Sequence, residues 1–100
     1  MRITVTARHC HISDELKARA EQIVERVAKI ASRPQRAEII FDVDHGVKVV
    51  ELKLTLPRGI IRVSSAEADD FRTAVDRAAA KLRNQLDKDT EHPVHHSSTQ

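Results

Sequence analysis

The sequence predicts an α+β fold with the element order β-α-β-β-β-α, in which two helices pack on one face of a four-stranded mixed sheet. Three observations lead to this fold. Four segments alternate apolar and polar residues, which is typical of strands with one buried face. Two longer segments repeat apolar residues every three or four positions, as amphipathic helices do. Short turns join the last three strands into an antiparallel meander, while the first helix is long enough to connect a parallel pair.

The first strand and the first helix are predicted within residues 2–32. Residues 2–8 alternate, and their apolar face carries Ile3, Val5 and Ala7. Ser13 is a favourable N-cap, and the two acidic residues after it suit the positive end of the helix dipole. The apolar stripe of this helix consists of Leu16, Ala20, Ile23, Val27 and Ile30. Pro34 disfavours helical geometry at Arg33, so we expect the helix to end there.

Three further strands follow. Residues 37–44 alternate around Ile39 and Phe41, and His45-Gly46 is predicted to be a tight turn because glycine adopts a positive φ freely. The third strand, in residues 47–57, is predicted to bury Val50, Leu52, Leu54 and Leu56. In the fourth strand, the inward-facing side chains are predicted to be those of Ile61, Val63 and Ser65. The opposite face of the sheet is predicted to be polar and exposed, with Arg2, Thr4, Thr6, Glu38, Asp42, Glu51, Lys53, Thr55 and Arg62.

The second helix is predicted over residues 70–88, with Asp69 or Asp70 as its N-cap. Its buried face consists of Phe71, Val75, Ala78, Leu82 and Leu86. The following residues are polar and include Pro93, so we expect the helix to fray near residue 89. The chain is therefore predicted to be one domain over residues 1–88, followed by a disordered polar tail over residues 89–100.

The composition limits the possible function classes. The 100 residues include 17 Lys and Arg and 15 Asp and Glu, a formal net charge of +2. Nucleic-acid binding would therefore depend on where the charges lie rather than on their excess. One cysteine permits no intramolecular disulfide, as expected in a reducing compartment. No apolar run reaches membrane-spanning length, and the N-terminus lacks the apolar core of a signal peptide. We expect a cytoplasmic protein.

The sequence predicts no catalytic activity, cofactor or metal site. His9-Cys10-His11 contains metal-ligating residue types, but strand alternation would send Cys10 away from both histidines. The chain has two glycines, too few for a nucleotide-binding loop. The carboxylates form no acid–base pair, and nothing supplies a base for the cysteine. We expect a protein that is not an enzyme.

Two lines of basic residues follow the flanks of the two predicted helices. The first helix carries Arg19, Arg26, Lys29 and Arg33, and the second carries Arg77, Lys81 and Lys88. Cations at helical spacing match a phosphate backbone, but solvated helices carry similar lines. Spacing alone leaves both interpretations open. Both phenylalanines are predicted core residues, so bound RNA would be contacted through its backbone and shape rather than by base stacking.

Two segments resemble a known family. The first, ITVTARHCHISDEL, has a strand end at Ala7-Arg8-His9 followed by a helix cap at Ile12-Ser13. The second, LTLPRGIIRVSSAEADDFRTAVDRAAAKLRNQL, matches at Pro57, Gly59, Asp70, Phe71, Ala74, Val75, Asp76, Lys81, Leu82, Gln85 and Leu86. Over about residues 1–88 the chain is similar to the ribosome hibernation promoting factor family, also called ribosome-associated translation inhibitors.

The resemblance implies both a fold and a function. The implied fold is β-α-β-β-β-α, with helix packing like that of double-stranded-RNA-binding domains. The implied function is binding to the small ribosomal subunit and its ribosomal RNA, in the channel of messenger and transfer RNA. Such binding would inhibit translation and preserve idle ribosomes in stress or stationary phase. The implied protein is the short form, a monomer away from the ribosome, without a cofactor and without DNA or membrane partners.

The resemblance also implies site residues, because basic residues of both helices contact ribosomal RNA in the family. With the two basic lines, the predicted RNA-binding set is Arg8, Arg19, Arg26, Lys29, Arg33, Arg77, Lys81 and Lys88. The chain departs from the family at Ala7, Arg72, Asn84 and Asp87, where relatives usually have a glycine, an aromatic residue and two basic residues. An alternative is therefore a protein–protein interaction domain that has kept the fold and lost ribosome binding.

Overall fold

A computed structural model of the protein describes residues 1–96, with side chains through residue 89. The elements are β1 (Arg2–Arg8), α1 (Asp14–Ala28), β2 (Arg36–Asp44), β3 (Val47–Thr55), β4 (Ile61–Ala68) and α2 (Phe71–His96). A 3-10 turn at Pro57–Gly59 joins β3 to β4. The predicted order β-α-β-β-β-α is confirmed.

The strands form one mixed sheet in the order β1-β2-β3-β4, so β1 and β4 are its edges. β1 runs parallel to β2 because α1 returns the chain to the same end of the sheet, and the other neighbours are antiparallel. Side chains of both helices join one core cluster with one face of β2 and β3. Its largest fully buried side chains include Phe41 and Ile39 from the sheet and Leu82 and Leu86 from α2. The predicted arrangement of layers is confirmed.

Local chemistry fixes the ends of several elements. Ser13 caps α1, since its Oγ accepts a hydrogen bond from the backbone N–H of Leu16 at 3.1 Å. The turn between β2 and β3 has positive φ at both central residues, 51° at His45 and 81° at Gly46. Two positive φ values define the two-residue hairpin turn whose twist matches that of the flanking strands.

The side-chain orientation predicted for β4 is wrong by one residue. Ile61 and Val63 point to the open face and are 45% and 44% exposed, whereas Ser64, Ala66 and Ala68 face the helices. The register with β3 explains this result, because Ser64 lies opposite Leu52 and directly opposed residues share a face. Arg62, predicted on the exposed polar face, therefore also lies on the helix side.

Small residues let α2 pack closely on β4. Ser64, Ala66 and Ala68 lie beneath α2, which contributes Ala74 and Ala78 to the same core. The hydroxyl of Ser64 is buried and donates a 2.8 Å hydrogen bond to the carbonyl of Ala78. A buried hydroxyl needs such a partner, and here it joins the strand directly to the helix backbone.

The second helix is longer than predicted. It continues to His96, so its predicted end near residue 89 is wrong. Extending a formed helix adds one hydrogen bond per residue without a second nucleation cost. The predicted domain limit at residue 88 stays a prediction. Of the predicted disordered tail, residues 97–100 lie outside the described residues.

The close contact between α2 and β4 predicts that Ser64→Val destabilises the protein. The larger side chain loses the hydrogen bond to Ala78 and overpacks the strand–helix contact, which should cost about 1–3 kcal/mol. Urea unfolding monitored by circular dichroism measures this change. Ser65→Val is the matched control, because Ser65 is exposed on the opposite face. Equal stabilities of the two variants would contradict the proposed packing.

Candidate nucleic-acid interface

A groove runs between α1 and α2 on the outer surface of the helical layer. Its walls are aliphatic at the base and basic at the rim. We call it the inter-helix groove; it is lined by Arg19, Gln22, Ile23, Arg26, Val27, Ile30, Asp76, Ala79, Ala80 and Arg83. Three arginines against one aspartate leave two net positive charges along it. An anionic chain of matching width is the ligand that such a groove favours.

The three arginines of the inter-helix groove differ in their partners. Nη2 of Arg19 lies 3.3 Å and 3.5 Å from the two carboxylate oxygens of Asp76, so this ion pair joins α1 to α2. Nε of Arg19 is buried without a hydrogen-bond partner. The side chains of Arg26 and Arg83 are exposed and make no hydrogen bond or ion pair with residues 1–89. These two guanidinium groups therefore carry the available charge of the groove.

The predicted basic line of α1 lies on the α2 side of that helix. Arg19 and Arg26 line the inter-helix groove. Lys29 is exposed at the C-cap of α1, where its backbone N–H bonds to the carbonyls of the last turn. Arg33 is exposed in the loop after the helix and has a positive φ of 54° immediately before Pro34. This line thus continues from the groove past the end of α1.

The predicted basic line of α2 faces away from α1. Arg77 and Lys81 lie along the free edge of β4, where they donate hydrogen bonds to the carbonyls of Glu67 and Ser65 at 2.9 Å and 2.8 Å. Lys88 is exposed on the same flank, since it follows Lys81 by seven residues, or two helical turns. The two predicted lines are therefore separated by the width of α2 rather than facing each other across one groove.

Arg83 is the groove residue that the sequence interpretation missed. At about 100° per residue, Arg83 follows Asp76 by two turns and lies on the α1 side of the buried stripe. A helical projection of the sequence places basic residues on both flanks of that stripe. It does not show which flank faces the other helix, so the omission reflects missing tertiary information.

Arg8 lies apart from the groove at the end of β1. It is opposite Asp42 in the parallel pair. Nδ1 of His9 lies 3.1 Å from Oδ1 of Asp42, and Asp42 also accepts a hydrogen bond from the backbone N–H of Val43 at 2.8 Å. The contact with His9, followed by that with Val43, lowers the pKa of Asp42 below its ordinary value of 3.8. The carboxylate therefore offsets part of the basic charge at this corner.

In the segment His9-Cys10-His11, the cysteine is directed into the fold. Sγ of Cys10 points toward the carbonyl of Phe41 at 3.7 Å, and desolvation raises the pKa of this thiol. Burial thus disfavours the thiolate that both metal binding and nucleophilic attack require. Within residues 1–89, His, Cys, Asp and Glu side chains form no group of three that could hold a metal ion.

The interface offers no aromatic ring for base stacking, since the two phenylalanines are the only aromatic residues of Phe, Tyr and Trp type in the chain. Phe41 is fully buried, and the ring of Phe71 packs edge-on against it at 5.3 Å between centroids. Lys48 Nζ covers the Phe71 ring at 5.8 Å. RNA bound here would be contacted through phosphates and ribose, as the sequence predicts.

The part of the chain that the structure describes contains no helix long and apolar enough to cross a membrane.

Comparison with known proteins gives consistent matches over nearly the whole chain. The sequence model of the family described as Sigma 54 modulation protein / S30EA ribosomal protein matches residues 3–92. The chain is 28% identical over 94 residues to a Pseudomonas putida protein named ribosome hibernation promoting factor, covering 91% of this chain and 88% of that protein.

Solved structures share the fold. A ribosomal subunit interface protein from Coxiella burnetii is 29% identical, with a TM-score of 0.78 over 90% of this chain and 98% of that chain. The N-terminal domain of Protein Y from Thermus thermophilus has a TM-score of 0.74 over 86% of this chain and 96% of that one, at 23% identity. The second likeness concerns the fold alone.

The lowered pKa of Asp42 predicts a specific response to acid. A carboxyl with a lower pKa in the folded state stabilises the fold above its unfolded pKa and loses that contribution as the pH falls through the folded value. Asp42→Asn should therefore show a smaller fall in melting temperature between about pH 5 and about pH 2.5 than the unmodified protein. Asp44→Asn, on the same strand, is the control. An identical acid response in Asp42→Asn and the unmodified protein would contradict the assignment.

Proposed function

The chain belongs to the Sigma 54 modulation protein / S30EA ribosomal protein family, and on that premise we propose that it is a ribosome hibernation factor that binds the small ribosomal subunit. The observation that carries this proposal is the inter-helix groove, where the exposed side chains of Arg26 and Arg83 have no partner among residues 1–89. Its ligand is ribosomal RNA of the channel that otherwise holds messenger and transfer RNA. The site of action is the cytoplasm, where ribosomes work.

Binding through the groove follows from the chemistry of its arginines. A guanidinium group presents donors in a fork that matches two phosphate oxygens, and it remains charged at any physiological pH. Arg26 and Arg83 lie on opposite walls of the groove, so they can bind phosphates on either side of one strand. Asp76 pairs with Arg19 two turns toward the N-terminal ends of the two helices and offsets the charge at that end of the groove.

The remaining predicted RNA-binding residues contribute to RNA binding to different degrees in this proposal. Lys29 and Arg33 extend the basic surface beyond the end of α1, and Lys88 is exposed on the far flank of α2. Arg77 and Lys81 already donate hydrogen bonds to β4 and have further N–H groups free for phosphates. We therefore assign the groove to primary binding and the far flank of α2 to secondary contacts.

Inhibition in this proposal is steric and includes no chemical step. The domain has one continuous core, so RNA cannot share the volume that it occupies. A bound copy would exclude messenger RNA and initiator transfer RNA from the subunit. Dissociation in low-stress conditions would return the subunit to use unchanged, because nothing is cleaved or modified.

The groove assignment predicts that charge reversal there weakens binding to the small subunit. Arg26→Glu with Arg83→Glu should abolish co-sedimentation with purified small subunits at moderate salt, because two phosphate contacts become repulsive. For the unmodified protein, log K should fall linearly with log salt, and the neutral variant Arg26→Gln with Arg83→Gln should lower the slope by about one per lost contact. Arg26→Glu with Lys81→Glu should weaken binding less than the double groove variant.

Lys53→Glu with Arg36→Glu is the control matched for charge, because it reverses two cations that lie in the sheet on the face opposite the helices. It should bind as the unmodified protein does. Failure of the unmodified protein to co-sediment at low salt would reject ribosome binding and favour a protein–protein interaction domain. Equal losses from this sheet variant and the groove variant would reject the groove as the contact surface.

A further inference from the structure

The free edge of β4 is covered by side chains of α2 and by its own Arg62. In an antiparallel edge strand, alternate residues turn their backbone groups outward, where another strand could pair. The carbonyls of Val63, Ser65 and Glu67 instead accept hydrogen bonds from Gln85, Lys81 and Arg77, at 2.8, 2.8 and 2.9 Å. We call these three donors and their acceptors the edge ladder.

The edge ladder depends on a match between helical and strand spacing. Its donors are four residues apart along α2, a rise of about 6 Å, and its acceptors are two residues apart along β4, about 6.8 Å. Because α2 runs antiparallel to β4, successive turns of the helix stay beside successive outward carbonyls. Three rungs of nearly equal length follow from this match.

The next outward carbonyl belongs to Ile61, and it is covered by the side chain of Arg62 instead of a donor from α2. The helix position that would supply the fourth rung is Asp89, which cannot donate as a carboxylate. Instead, Nε and Nη2 of Arg62 bind the two oxygens of Asp89 at 2.7 Å and 3.1 Å, and Nη1 of Arg62 donates to the carbonyl of Ile61 at 3.3 Å. Every second carbonyl from Ile61 to Glu67 thus has a side-chain donor.

Without the edge ladder this edge would favour strand pairing. Ile61 and Val63 are 45% and 44% exposed on the open face, and Ile60, just before the strand, is 41% exposed. These β-branched side chains stand beside the outward carbonyls, so an added strand would gain both hydrogen bonds and apolar contact. Antiparallel pairing of two copies of one strand forms a closed two-fold dimer, because the edge is complementary to itself.

We propose that the edge ladder keeps β4 closed to strand addition, and that the occupant it excludes is β4 of a second copy of this chain. Pairing centred on Val63 would place the exposed Val63 side chains of the two copies side by side. The ladder acts through its hydrogen bonds and through the space that its side chains fill, independently of the proposed ribosome binding. Arg77 and Lys81 thus have a structural role, since their side chains block strand pairing at the sheet edge.

The test compares three chains by size-exclusion chromatography with light scattering at micromolar to millimolar concentration. The unmodified protein should be monomeric. The triple variant Arg77→Ala, Lys81→Ala, Gln85→Ala should form a dimer. The variant Arg77→Gln with Lys81→Gln removes both charges and keeps a donor at each position, as Gln85 already shows to be sufficient for one rung. It should remain monomeric, which separates hydrogen bonding from charge repulsion.

Hydrogen exchange identifies the edge involved. In the dimer of the triple variant, the backbone amides of β4 should gain protection, and those of β1 should not. Assembly beyond a dimer, or protection of β1, would reject the β4–β4 pairing. A folded triple variant that stays monomeric would reject the proposal, and so would dimerisation of the glutamine variant.

A single substitution keeps the proposal testable if the triple variant does not fold. Lys81→Met removes the central donor and keeps the apolar stem of the side chain. It should strengthen dimerisation by about a hundredfold relative to Lys88→Met, because each dimer carries the substitution twice and one hydrogen bond is worth about tenfold in each copy. Lys88 is exposed on the same flank and makes no ladder contact. Equal self-association of the two methionine variants would overturn the role of Lys81.

Discussion

The close approach of α2 to β4 positions both flanks of α2, and with them the sheet edge and the inter-helix groove. It is possible because β4 presents Ser64, Ala66 and Ala68 to the helix, and the helix presents Ala74 and Ala78 in return. The hydrogen bond from Ser64 to the carbonyl of Ala78 fixes the position of the helix along the strand as well as its distance from the strand. A bulkier residue at any of these positions would lift the helix, and every contact along both of its flanks would change.

This placement gives the two flanks of α2 different roles. The flank toward β4 carries donors that reach the outward carbonyls of an edge strand, so its cations are partly used within the fold. The flank toward α1 carries Arg83, which lies across the inter-helix groove from Arg26. One ion pair, between Arg19 and Asp76, joins the two helices there. The same helix thus closes a sheet edge on one side and forms the wall of a candidate RNA site on the other.

The sequence predicts which elements form each layer of the fold. It does not predict the side-chain orientation of β4 or the flank of α2 that faces α1. In β3, Val50, Leu52 and Leu54 alternate with polar residues, and only one orientation buries them. In β4 the larger residues, Ile61 and Val63, lie on the exposed face, so hydrophobicity favours the wrong orientation. The orientation of β4 is determined instead by its pairing with β3 and its packing against α2, and both are contacts between residues that are distant in the sequence. The importance of Arg83 also depends on which flank of α2 faces α1, and a local pattern does not contain that information.

Arginine footprinting tests whether the inter-helix groove contacts ribosomal RNA, as we propose. The protein is treated with an arginine-specific reagent in the presence and absence of purified small subunits, and modification is read by mass spectrometry. Arg26 and Arg83 should be protected in the complex, while Arg36, exposed on β2, should stay reactive. Protection of Arg36 with continued reactivity of Arg26 and Arg83 would contradict the proposal, because the protein would then bind through its sheet.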